Sequence, residues 1–204
     1  MYLPAHFRED RPEVLHEIVR RYSFATLVSH DADGALIASQ LPFLFDAAHN
    51  RLRSHMARAN PHWRGFGAGE AMVIFQGPHA YVSPSWYESK LQVPTWNYVT
   101  VHAYGIPRIV EGDDDVRAIV GETVKQYESP RPQPWPMPLP EEFIANLLRG
   151  IVGFEIQITR MEGKLKLSQN RSKVDAEGAA AALERGDDQV GRELAEWMRR
   201  VEPQ

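Results

Sequence analysis

The chain has no cysteine, which rules out disulfides and thiolate metal sites and gives no reason to expect export. It has no apolar run long enough to span a bilayer as a helix. Its opening stretch, MYLPAHFRED, carries charge where a signal peptide would need an apolar core. A cytoplasmic protein with no membrane partner is the expectation. No GxSxG, P-loop or GxGxxG is present, so acyl transfer, nucleoside triphosphate chemistry and a Rossmann dinucleotide site lack their signatures. Positive charge is not in excess either. The 23 Lys and Arg face 27 Asp and Glu, for a net charge of −4, and nothing pulls the whole chain toward nucleic acid. There are eight histidines, but His55, His62, His79 and His102 show no HxxxH or HExxH pairing. No metal site is expected from them.

What is present is a globular composition. Hydrophobic residues make up 43% and charged residues 25% of 204 positions, enough for one domain with a substantial core, or one domain with a helical appendage. The most distinctive stretch runs from Phe75 to Gly105. It gathers Phe75, Tyr81, Trp86, Tyr87, Trp96, Tyr98 and Tyr104. Its last part alternates: Trp96, Tyr98, Thr100, His102 and Tyr104 on one strand face, Asn97, Val99, Val101 and Ala103 on the other. Aromatic rings beside amides suit a flat heteroaromatic ligand; they equally suit the core of a small β domain.

In chain order, Asp10, Pro12 and Glu13 open a helix whose apolar stripe is Val14, Leu15, Ile18, Val19 and Tyr22. Strands are predicted at 24–30, 36–45, 51–56, 71–76 and 95–104, the last continuing past Pro107. Asp33-Gly34 marks a hairpin turn, and Pro42 an edge or a bulge. A helix follows from Asp113, then a connector with six prolines, ESPRPQPWPMPLPEE. Another helix, EEFIANLLRGI, leads to a final long strand, IVGFEIQITRME. Two short helices lie within 176–201. About six strands with helices added imply an α+β fold, a small antiparallel barrel. The expected division is a barrel over 1–171 and a helical extension over 172–204 packed on it.

Two stretches suit a phosphate. SHMARANP joins a strand end to a turn or helix, offering backbone N–H groups, a hydroxyl and the Arg58 guanidinium. KLKLSQNR supplies Lys164, Lys166 and Arg171 with Ser168, Gln169 and Asn170. Either could also be an ordinary solvated junction.

The strings SQLPF, SHMARANPHW, FQGPHAYVSPSWY, VPTWNYVTVHAYG and KLSQNR, in this order, resemble the PaiB family, described as FMN-binding negative transcriptional regulators. The resemblance covers nearly the whole chain. It implies an antiparallel split β-barrel of the pyridoxamine-phosphate-oxidase type with flanking helices, and a homodimer with FMN at the subunit interface. It places Ser39 and Gln40 at the isoalloxazine edge. It assigns the phosphate to Ser54, His55 and Arg58, with Asn60 nearby. Trp96 and Asn97 would approach from the facing side, and Lys166 and Gln169 would come from the segment after the last strand. The same barrel hosts flavin-dependent oxidoreductases and haem-binding relatives, in which His55 or His79 would be an axial ligand. The tail from Asp175 to Gln204 carries eight acidic and four basic residues. Direct DNA binding is therefore expected to be weak and non-specific.

Overall fold

Strand β2 (Phe24–His30) turns back into β3 (Leu36–Pro42) through a tight loop. Asp31 closes it by accepting from the Asp33 and Ala35 N–H groups at 2.9 Å each, and Gly34 sits at φ 83°, a conformation glycine adopts without penalty. The hairpin register runs from Phe24–Pro42 to His30–Leu36. The remaining elements are β1 (Arg8–Glu9), α1 (Pro12–Arg21), β4 (Leu44–Asp46), β5 (Arg51–Ala57), β6 (Ala71–Val82), β7 (Thr95–Ile109), α2 (Asp113–Glu128), α3 (Glu141–Arg149), β8 (Ile151–Lys166), α4 (Lys173–Arg185) and α5 (Gln189–Met198). This computed structural model describes residues 1–202; the final two positions of the predicted extension lie outside the described residues. The strands form one sheet in the order β3-β2-β6-β7-β8-β5-β4, with β1 pairing to β8. No helix among the described residues is long and apolar enough to cross a membrane.

Eight strands replace the expected six for local reasons. The predicted strand 36–45 breaks at Phe43, whose N–H leaves the strand to donate to Ser23 O at 2.8 Å; Pro42 before it has no N–H to extend the ladder. The two-residue β1 is too short to leave a period. Strand β6 runs on to Val82, and β8 absorbs the GKLK segment, ending at Lys166 rather than near Glu162. Helix α4 begins at Lys173, three residues before the expected start.

Two compact units emerge. The first comprises Met1–Ile18, Gln76–Val101 and the chain from Glu162 onward. In it α1 buries Val14, Leu15 and Ile18, and β7 buries Asn97, Val99 and Val101. Ser172 caps α4 and Asp188 caps α5 through their side chains, and the two helices pack small on large, Ala176, Ala179 and Ala180 with Leu194, Trp197 and Met198 all buried. Asp175 ties this pair down by accepting from the Glu88 and Ser89 N–H groups at 2.8 and 3.1 Å.

The second unit comprises Val19–Phe75 and His102–Met161. Its core is an aromatic cluster. Phe43 meets Phe75 and Phe154 edge-on at 6.0 and 6.1 Å, and Phe66 lies 5.0 Å from Phe154. Ile119 of α2 is buried there, and Arg53 of β5 pairs with Glu122 of α2.

Candidate cofactor site

A hydrogen-bonded chain runs through the interior of the second unit, and it begins at a residue that carried no signal of its own. His62 opens a short 3-10 turn, Pro61–Gly65, whose N-cap is Asn60. The imidazole is completely buried. Its Nε2 lies 2.8 Å from Ser29 Oγ and its Nδ1 2.9 Å from Ser39 Oγ. Asn60 donates from Nδ2 to Ser39 Oγ at 3.0 Å and accepts the His62 N–H at 3.0 Å. One proton assignment satisfies every member: Asn60 donates to Ser39, Ser39 to Nδ1, and Nε2–H to Ser29, whose hydroxyl reaches His30 O at 3.3 Å. That assignment needs a neutral ring. Burial accordingly pushes His62 below the ordinary histidine pKa, with the Asp31 charge partly opposing.

Neighbours on a strand face opposite ways, and this sorts the candidates. Ser39 points inward to His62, whereas Gln40 is exposed on β3, at the end of the strand order. Ser54 is fully buried, its hydroxyl donating to Pro42 O at 2.6 Å. His55, on the other face of β5, is half-buried and lines an apolar cavity below α2 and α3; burial lowers its pKa too. Arg58 is exposed but engaged. Its Nε donates to Arg149 O at 2.9 Å and its Nη2 to Ile151 O at 2.7 Å, so it fastens the carbonyl end of α3. Among the described residues its Nη1 makes no hydrogen bond. The 3-10 turn is too short to present a helix N-terminus to an anion.

The first unit holds the other four candidates. Trp96 stands out on β7, 54% exposed, with Tyr81 edge-on at 6.1 Å and His79 at 6.3 Å. Asn97 faces the opposite way and is buried; its Nδ2 donates to Ser168 Oγ at 2.8 Å and its Oδ1 has no partner. Lys166, ending β8, donates to Trp96 O at 2.7 Å and to Thr95 Oγ1. Burial, Lys164 and Arg171 together hold its pKa below the usual lysine value. Lys164 is buried, its ammonium 5.3 and 5.4 Å from the Tyr2 and Tyr98 ring centroids. No carboxylate pairs with Lys164, Lys166 or Arg171 among the described residues. Gln169 bonds only its own turn, accepting from Leu167 N at 2.7 Å and donating to Leu165 O at 2.6 Å.

These residues fit FMN unequally. Gln40 and Arg58 of the second unit and Trp96 of the first are exposed, and Lys166 is half-buried. Ser39, Ser54, Asn60, Asn97 and Gln169 are hydrogen-bonded to other groups of the protein. The buried His62 and the half-buried His55 also set a pH dependence. An unfolded histidine titrates near 6.5, and both folded pKa values lie lower, so the unfolded chain binds more protons once pH drops below that point. Stability is then complete above about 6.5 and falls as pH falls, by up to about 1.4 kcal/mol per pH unit for each histidine. Urea unfolding of the flavin-free protein between about pH 7.5 and about pH 5.5 checks this; a flat profile would show that neither ring is held neutral.

Residues 1–160 match the family described as "Putative FMN-binding domain". The chain is 37% identical over 203 residues to protease synthase and sporulation protein PAI 2 of Bacillus subtilis (strain 168), covering 97% of this chain and 96% of that protein. A fungal protein, AN0679 of Emericella nidulans, is 28% identical over 98% of this chain and 96% of its own length. Among solved structures, the FAD and heme binding protein from Mycobacterium smegmatis superposes with a TM-score of 0.58 at 16% identity, over 78% of this chain and 73% of that one. A flavocytochrome from Azotobacter vinelandii gives 0.59 at 10% identity, over 78% and 69%. At such identities the likeness shows the fold, the α+β antiparallel split β-barrel. The family match and the near full-length relative together mean that this chain belongs to the PaiB-like family of FMN-binding split-barrel proteins.

Proposed function

We propose that the protein is a cytoplasmic FMN-binding homodimer acting as a PaiB-type regulator, with FMN held at the subunit interface. The observation that carries this reading is the exposed Trp96 ring on β7, together with Lys166, which donates to the Trp96 backbone carbonyl and stands near Lys164 and Arg171 with no carboxylate paired to it among the described residues. An exposed aromatic shelf on a single subunit calls for a covering surface or a flat ligand, and uncompensated cations call for an anion. Gln40 would read the ring edge, and Arg58 would offer Nη1 to the phosphate. Bound FMN would supply redox chemistry. A regulator that acts on DNA directly is not part of the proposal, because the tail helices carry the net acidic charge.

A second reading, a flavin-dependent oxidoreductase, is favoured by one feature. Burial and the Lys164 and Arg171 charges lower the Lys166 pKa, the direction a proton-donating amine needs. Turnover of NAD(P)H or oxygen by the flavin-loaded protein separates the two readings.

Fluorescence titration with FMN, FAD and riboflavin, paired with sedimentation, tests the first. FMN is expected to bind at least about tenfold more tightly than riboflavin, a difference of about 1.4 kcal/mol. It should stabilise the dimer by about 2.7 kcal/mol at a hundredfold excess over its dissociation constant. Equal affinity for riboflavin would exclude a phosphate site, and a monomer binding FMN stoichiometrically would exclude a shared one.

A further inference from the structure

In the second unit, the β2–β3 hairpin and the neighbouring part of β6 form a sheet whose two faces differ. Inward, Ser39, Leu27 and Val73 stand side by side in register, all buried. Outward, the register sets Gln40, Thr26 and Ile74 in one row and Ala38, Val28 and Met72 in the next. Gln40 and Ala38 are exposed and the other four half-buried. At opposite ends of the same face stand Leu36, 75% exposed, and Phe24, 64% exposed. Helix α2 packs elsewhere, on β4, β5 and α3.

The chemistry of this face is as uneven as its burial. Charged residues make up 25% of the chain, yet no Lys, Arg, Asp or Glu stands at the outward positions of β2, β3 or the paired part of β6. Strand β3, LIASQLP, also ends the strand order. End strands of soluble proteins usually carry charge against unwanted pairing, and β3 carries none. A sheet face with large apolar side chains in water marks an interaction surface.

We infer that a second copy of the chain seats on this face and supplies the wall over Gln40. The inference rests on the homodimer reading above and adds the surface through which the copies meet. A twofold axis sets like residues against each other, so a charge near the axis would face its own sign. A face without charge avoids that repulsion. A different protein would be selected in large part by complementary charge, which these strands do not offer. The lack of cations equally disfavours an anionic lipid surface. Gln40 lies inside the face, beside Thr26 in register, so a copy seated there takes its amide out of water. In that drier setting a hydrogen bond from the amide to a ring edge gains strength. A lone subunit leaves that side of the site open.

Sedimentation of the flavin-free protein, followed by FMN titration, tests this. The natural sequence is expected to be a dimer at micromolar concentration. Ala38→Arg places a charge on the face in both copies, so it counts twice. It should raise the dimer dissociation constant at least about a hundredfold and weaken FMN at least about tenfold. Phe24→Lys should do the same at a position already open to water. Phe143→Lys, on the exposed side of α3, should leave the dimer intact. Circular dichroism shows whether each variant is folded; if Ala38→Arg is not, Phe24→Lys decides. The inference is overturned by a dimer that survives both face substitutions, by equal dissociation with Phe143→Lys, or by a natural sequence that is monomeric. A dimer that survives leaves the homodimer reading standing and removes only this surface. A dimer broken by Ala38→Arg whose natural form binds no FMN removes the flavin reading and leaves the surface.

Discussion

Replacing His62 with alanine is expected to destabilise the protein by about 3–5 kcal/mol. The imidazole has no exposed surface, so truncation leaves a void among packed neighbours, including Phe66 at 5.7 Å. It also removes the ring nitrogens 2.8 and 2.9 Å from the buried Ser29 and Ser39 hydroxyls, leaving Ser29 only its 3.3 Å contact with His30 O. Unpaired hydroxyls there cost more than the hydrogen bonds gained in forming them. Ser39 would lose its link to the 3-10 turn through the ring and keep only Asn60. Because Gln40 follows Ser39 directly, FMN affinity should drop with stability. Urea unfolding measures the first effect and fluorescence titration the second. A loss under about 1 kcal/mol, the size of one ordinary hydrogen bond, would mean that the chain of bonds does not hold β3.

Gly105→Ala should be comparably damaging, by about 3 kcal/mol or more. A Cβ at this position would sit 2.1 Å from Gln157 O and 2.7 Å from Ile156 Cγ2. The first is backbone, and β8 is held there by its pairing of Gln157 with Arg51 of β5. No side-chain rotation relieves that contact, so the two strands must separate or the methyl must be excluded. Thermal and urea unfolding of the variant check this. A midpoint equal to that of the natural sequence would show that β7 and β8 do not approach so closely.

Both residues illustrate what was readable in advance. Gly105 and Pro107 in HAYGIP were read as positions the strand continues through, and β7 does run to Ile109. Nothing local indicates that a carbonyl of β8 would press against Gly105, because that approach depends on a strand some fifty residues away (about that separation). His62 lies inside SHMARANPHW, a string that carried the family resemblance, but a histidine after a proline gives no period to read. Its signal lies in two serines, Ser29 and Ser39, that only the β2–β3 hairpin brings to the same ring.

The sequence by itself determined what depends on near neighbours. The α1 stripe, the hairpin turn at Asp33-Gly34 and the buried face of β7 with Asn97, Val99, Val101 and Ala103 follow from periods of 3.6 and 2 or from near neighbours, whereas the opposite face of β7 divides, with Trp96 exposed but Thr100 and Tyr104 buried by packing from elsewhere. Likeness to the PaiB family added FMN and the split barrel. Tertiary structure alone decided which candidates remain free. Arg58 is found donating through Nε and Nη2 to the Arg149 and Ile151 carbonyls; Gln169 bonds within its own turn; and His55 lines an apolar cavity to which the proline-rich connector contributes Met137 and Leu139. The physical reason is common to all three. A side chain's type states which bonds it can form, but whether a partner stands within hydrogen-bond reach is set by chain segments far away in sequence, whose pairing no local pattern records.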